Sequence, residues 1–203
     1  MSMDIKIEGM DDLLKELREF PKELARASRN AENTTATAVN GEGFRIASEE
    51  YNITQARLKK DSRGRATSYV KRSSPGSPGA VVTFKGGDGP KAGDRPGLQH
   101  FKTDRQERNK TQRGWKPSYQ VKRDGSVKQV ERGFYGEGKL KGQGIFQRRD
   151  DSSRKIVRQT GPSIKQMVES SEVYDQLRGR AETLLMQKMV EAVNKQLAKV
   201  GRK

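Results

Sequence analysis

His100 is the single histidine of the chain, and there is no cysteine. A catalytic base needs an orienting partner and a pocket. Asp94 and Asp104 flank His100 in sequence, which does not bring them to it in space, so a solvated loop histidine is expected. One histidine without cysteine leaves no ordinary zinc site. Carboxylates pair at Asp11-Asp12, Glu49-Glu50 and Asp150-Asp151. The first pair suits the positive end of a helix dipole. The last stands beside Arg148, Arg149 and Arg154 and reads as local neutralisation. The glycine-rich runs Gly86–Gly89 and Gly136–Lys139 lack the spacing that ends in Gly-Lys-Ser/Thr, and read as loops rather than phosphate cradles. The expectation is therefore no catalytic residue, no metal, no cofactor and no enzyme.

Cationic side chains are the other chemistry on offer, and they are confined to one stretch. Residues 57–160 carry 27 Lys+Arg and 10 Asp+Glu, a net of +17; the rest of the chain carries 15 and 16, a net of −1. Such a segment repels itself unless it meets nucleic acid, an acidic protein surface or anionic lipid. The candidate contacts are Arg57, Lys59 and Lys60, then Arg105, Arg108, Lys110 and Arg113, then Arg148 and Arg149. Trp115 and Tyr119 lie beside the second cluster, an arrangement suited to phosphate contact and base stacking. No helix-turn-helix, zinc-finger or RNA-recognition signature accompanies them. DNA and an acidic protein partner fit these clusters equally well.

The elements that must position these groups are of two kinds. At the N-terminus, Asp4–Glu8 alternates as a short strand, and Leu13, Leu14, Leu17 and Phe20 sit at helical spacing. Leu24, Ala27, Ala31, Thr35, Ala38 and Val39 continue a weak helical stripe; Gly41 and Gly43 are expected to interrupt it before Phe44, Ala47 and Tyr51 resume it. At the C-terminus, Gly161-Pro162-Ser163 opens a short helix. A long one follows, with Val173, Leu177, Ala181, Leu184, Leu185 and Met189 on its apolar face. Leu13, Leu17, Leu177, Leu184, Leu185 and Met189 are the candidate core. The basic middle reads as short strands at Thr67–Lys71, Ala80–Phe84, Gly144–Arg149 and Lys155–Gln159, with a hairpin about Asp124-Gly125. The run from Gly86 to Gly114 is expected to order only as an arm on a neighbouring subunit.

The fold class expected is α+β: a small, mostly antiparallel sheet, N-terminal helices, a long C-terminal helix and long basic loops. One domain over 1–203 is expected, in segments 1–60, 61–160 and 161–203. Only 31% of residues are hydrophobic, which suits a small core completed by partner subunits. No apolar run approaches the roughly 20 residues of a membrane span, and the first residues lack the pattern of a signal peptide. A soluble protein without a membrane partner is expected.

The order of features resembles the tail-completion, or minor tail protein Z, family of long-tailed bacteriophages. The residues that carry the resemblance are Asn52-Ile53-Thr54 through Ala56-Arg57-Leu58-Lys59-Lys60, the Gly/Pro-rich basic middle, and Gly161-Pro162-Ser163-Ile164-Lys165-Gln166-Met167 before a long helix. The resemblance implies a structural virion protein at the head-proximal end of the tail, assembled in the host cytoplasm. It implies a homo-oligomeric ring, hexameric as in related neck and tail-terminator proteins, that completes the tail tube and enables head–tail joining. Its partners would be tail-tube or terminator and neck proteins, with viral DNA passing through. A non-specific nucleic-acid-binding protein is the alternative.

Overall fold

A computed structural model describes residues 2–5, 22–61, 64–86, 95–104, 116–136, 140, 144–148 and 155–200. The expected helix over Leu13 and Leu17 lies outside these residues, as do Arg105, Arg108, Lys110, Arg113 and Arg149. The architecture is α+β. Among the described residues, nine short strands form three antiparallel three-stranded sheets, ordered β1-β3-β2, β4-β5-β6 and β7-β8-β9. The chain gathers into two compact units that interleave in sequence. The first comprises 1–46, 68–85 and 168–203; the second comprises 47–67 and 86–167.

The first unit is built on helical periodicity. Helix α1 spans Lys22–Glu50, and its part in this unit runs to Ile46. The two glycines do not break it. Gly43 is required by packing: a Cβ there would meet the ring of Phe84, which is itself buried and set edge-on to Phe44 at 5.6 Å. Gly41 faces open space, so nothing opposes its helical conformation except its own flexibility. Ala27, Ala31, Ala36, Val39 and Phe44 are buried, together with Ser28, Glu32 and Thr35. The central strand β3 (Val81–Lys85) pairs with β1 (Ser2–Ile5) and β2 (Ser68–Lys71), placing Val70 opposite Val82. Asn33 on α1 clamps the loop after β2. Its Oδ1 accepts from Ser73 N at 2.7 Å, and its Nδ2 donates to Ser73 O at 3.2 Å.

The last helix, α4 (Ser171–Val200), buries Val173, Leu177, Ala181, Leu185 and Met189, one residue per turn at a spacing of four. Leu185 and Met189 pack with Ala31 of α1. Leu184 departs from the expected core. It stands one residue off this row and is only half-buried.

The second unit has little helix. Here α2 (Gln55–Leu58) and α3 (Ile164–Val168) are single turns. Ser163 and Gln166 cap the latter reciprocally: Gln166 N donates to Ser163 Oγ at 3.3 Å, and Ser163 N donates to Gln166 Oε1 at 3.0 Å. The Asp124-Gly125 hairpin forms between β5 (Ser118–Gln120) and β6 (Lys128–Gln129). Strand β4 (Lys102–Thr103) pairs with β5 on its other edge. The third sheet joins β7 (Gly133–Tyr135), β8 (Ile145–Arg148) and β9 (Ile156–Arg158). Asp104 links the two sheets, accepting from Ser118 N at 3.1 Å and from Tyr135 Oη at 3.0 Å. Residues 95–104 are packed within this unit, against the expectation of an arm ordered only by assembly. Leu98 and Phe101 are buried, and a Cβ at Gly161 would meet the Phe101 ring.

Candidate basic interface

The structure sorts the cations of the second unit by what they meet. Arg65 is tied to Asp61: its Nε lies 2.7 Å from Oδ2, and its backbone N donates to Oδ1 at 2.8 Å. Lys116 pairs with Glu131 at 2.7 Å. Lys122 lies 3.4 Å from Glu50 and 5.9 Å from the centre of the Tyr51 ring. Arg123 donates to Ser48 O at 3.0 Å. Of the expected contact residues, Lys59 and Lys60 are exposed just after α2. Arg148 lies over Phe134 at 5.5 Å, and Phe134 stacks on Phe146. An arginine over an aromatic face is attracted by the ring quadrupole, which holds the Arg148 guanidinium on the strand surface.

Arg57 belongs to a different setting, with His100 and Arg158, neither of which the sequence marked as a contact. Strand β9 and the segment around Gly97 set Arg158 beside Gln99, the neighbour of His100. Gln159 N donates to Ile145 O at 2.9 Å, Leu98 N donates to Gln159 O at 3.1 Å, and Gly161 N donates to Pro96 O at 2.9 Å. This pairing sets Gly97 and Gly144 beside Arg158. A Cβ on Gly97 would fall 2.9 Å from Arg158 Nη2, and one on Gly144 would fall 3.3 Å from Arg158 Nε. Both glycines also underlie the carboxamide of Gln99, and Gly144 holds a φ of 136°. Two residues without side chains thus floor the space that Arg158 and Gln99 occupy. Gln99 Nε2 lies 3.1 Å from His100 Nε2.

The electrostatics of this cluster are those of like charges brought together. Burial, then the charges of Arg57 and Arg158, lower the His100 pKa to about 4. Burial and then Arg57 lower that of Arg158. The Arg158 guanidinium nevertheless remains protonated at neutral pH. The Nε atoms of Arg57 and Arg158 are buried without a hydrogen-bond partner. Among the described residues no carboxylate pairs with either arginine. His100 also lines a cleft of about 620 Å³ with Asn52, Thr54, Lys102 and Arg123. A second cleft of about 490 Å³ is lined by Arg95, Lys122 and Lys128 beside Tyr119. Among the described residues, neither cleft is lined by a carboxylate.

No family model, curated protein or solved structure matches the chain. Its chemistry is therefore read from the site alone. No group of three or more metal-ligating side chains occurs among the described residues, and no described helix is long and apolar enough to cross a membrane. What the second unit offers is positive charge in two settings, one neutralised by neighbours and one without a carboxylate partner among the described residues.

Proposed function

We propose that this chain is a structural virion protein, a subunit of a homo-oligomeric ring that completes the head-proximal end of a long phage tail and serves head–tail joining. The observation that carries the reading is the division of labour between the units. The second holds 25 Lys+Arg against 12 Asp+Glu, a net of +13, whereas the first holds 17 against 14, a net of +3. A ring gathers several such basic units, and their mutual repulsion calls for acidic protein or DNA beside them. The first unit supports the reading in another way. On α4, Met186 and Val190 are one turn apart and more than half exposed, as suits a helix that meets another copy. On this reading the chain performs no reaction, and its partners are tail-tube or terminator and neck proteins.

Native mass spectrometry of the protein with its tail partner tests the proposal. A closed ring, six copies being the expected number, supports it. A strict monomer inside intact virions removes it. Reversing the charge of Arg148 and Arg149 should leave the subunit folded while lowering the yield of infectious, head-joined particles. A second reading, non-specific nucleic-acid binding outside a virion, is favoured by Arg148 held over the Phe134 ring on a strand surface. It predicts binding to any DNA sequence with a steep loss of affinity as salt rises.

A further inference from the structure

We propose that the second cleft, between the β5–β6 hairpin and the paired segments at Pro96 and Gly161, binds single-stranded nucleic acid, with one nucleotide seated against Tyr119. The inference rests on the nucleic-acid reading above and is independent of the ring; it adds the form of nucleic acid and the place where it binds. Hydrogen bonds fix both walls of the cleft. On one side, Gln120 Nε2 donates to Arg123 O at 3.0 Å and to Gly125 O at 2.8 Å, which closes the hairpin. Asn52 ties the end of β5 through Gln120 O and Lys122 O. On the other side, Gly161 N donates to Pro96 O at 2.9 Å, and Leu98 N donates to Gln159 O at 3.1 Å. A ligand that enters between such walls meets a surface already formed, so little is lost in ordering it.

The lining has two characters. Leu98, Val121 and Pro162 are apolar and Tyr119 is aromatic, whereas Arg95, Lys122 and Lys128 are cationic. Tyr119 and Lys128 are direct partners across the β5–β6 ladder, so their side chains rise from one face of the sheet, with Cβ atoms about 5 Å apart. A ring with a cation at that distance matches a nucleotide, whose flat base and anionic phosphate are joined through one sugar. Stacking on an aromatic and charge contact with the backbone are the two interactions of sequence-tolerant single-strand binding. Lys122 shares its charge with Glu50 at 3.4 Å, so the exposed Lys128 is the principal phosphate contact. The cleft, about 490 Å³, falls among ligand sites of roughly 300–1,000 Å³ and takes one nucleotide. In a duplex each base face is covered by its neighbours, so only a strand whose bases splay out can reach the ring. An acidic peptide answers the cations but covers the apolar lining with nothing.

Binding of the full chain to a short fluorescein-labelled oligothymidylate is read by fluorescence anisotropy across a salt series, beside a duplex of the same length and with polyglutamate as competitor. Tyr119→Leu keeps an apolar side chain but no ring. It should weaken single-strand binding about tenfold without changing the salt slope, and weaken duplex binding far less. Lys128→Gln should weaken single-strand binding severalfold and lower the salt slope by about 0.7, the loss of one phosphate contact. If Tyr119→Leu fails to fold, Lys128→Gln, at an exposed position, carries the test alone, and an unchanged slope overturns the site. Equal losses for strand and duplex in Tyr119→Leu overturn the stacking site in favour of charge contact alone. Full binding by both variants puts the contact elsewhere on the chain, which overturns the site and leaves the nucleic-acid reading standing. Displacement of the probe by polyglutamate as readily as by unlabelled oligothymidylate of equal charge overturns the assignment in favour of an acidic protein segment. No binding to strand or duplex removes the nucleic-acid reading and the site with it.

Discussion

The two units use different means to hold a chain poor in apolar residues. In the first, two long helices supply regular rows of small and aliphatic side chains, and one strand, β3, is buried between its neighbours. In the second, helices are single turns and many joints are hydrogen bonds from side chains to backbone or from one loop to another. Asn52 is typical of them. Its N donates to Val121 O at 2.8 Å, and its Nδ2 donates to Gln120 O at 3.2 Å and to Lys122 O at 3.1 Å. The contrast shows where a strongly basic segment can be stored. A unit stitched by polar joints tolerates many cations on its surface, whereas a unit held by apolar rows would lose its packing to them.

The largest effect expected from this contrast is at Leu177, fully buried on α4. Leu177→Ala should lower stability by about 2–5 kcal/mol in chemical denaturation, and Leu184→Ala, on the half-buried neighbouring row, by clearly less. Equal losses would mean that α4 does not present a single apolar row. Next comes the pair of glycines in α1. Gly43→Ala must displace the Phe84 ring and should cost roughly 1–3 kcal/mol. Gly41→Ala meets nothing and should stabilise by about 0.5–1 kcal/mol. In the second unit, Asn52→Ala removes the side-chain hydrogen bonds to Gln120 O and Lys122 O and should cost about 1–2 kcal/mol. A null effect there would weaken the account of polar joints.

The smallest effect expected is a pH dependence. His100 has a pKa of about 4 in the folded chain against an ordinary 6.5, so between these values the unfolded chain binds more protons. Its contribution to stability is therefore full above about pH 6.5 and is lost as pH falls toward about 4. The ring is partly exposed, so solvent screening keeps the effect small. Denaturation midpoints compared between the parent and His100→Gln should diverge across this window and run parallel above it.

Much of this contrast was legible in the residues. The row Val173, Leu177, Ala181, Leu185, Met189 follows from spacing alone, and the Asp124-Gly125 hairpin follows from turn chemistry. The uninterrupted α1 was not legible. Glycine is a poor helix former, and only the Phe84 ring packed against Gly43 explains its presence. Nor was the packing of Leu98 and Phe101, two apolar residues in a polar run, because their partners lie far along the chain. The Arg57–His100–Arg158 cluster was half visible. Arg57 belonged to an obvious basic run, but Arg158 stood in a strand and His100 in a loop, and only pairing around β9 sets Arg158 beside Gln99 and His100.

The proposal that the basic unit finds its counter-charge in a tail assembly is tested most directly by a cryo-EM reconstruction of the assembled particle. The predicted result is a closed ring of this chain at the head-proximal end of the tail, with its basic units facing acidic protein or DNA. The chain missing from the particle, or present there as an isolated monomer, would contradict the account.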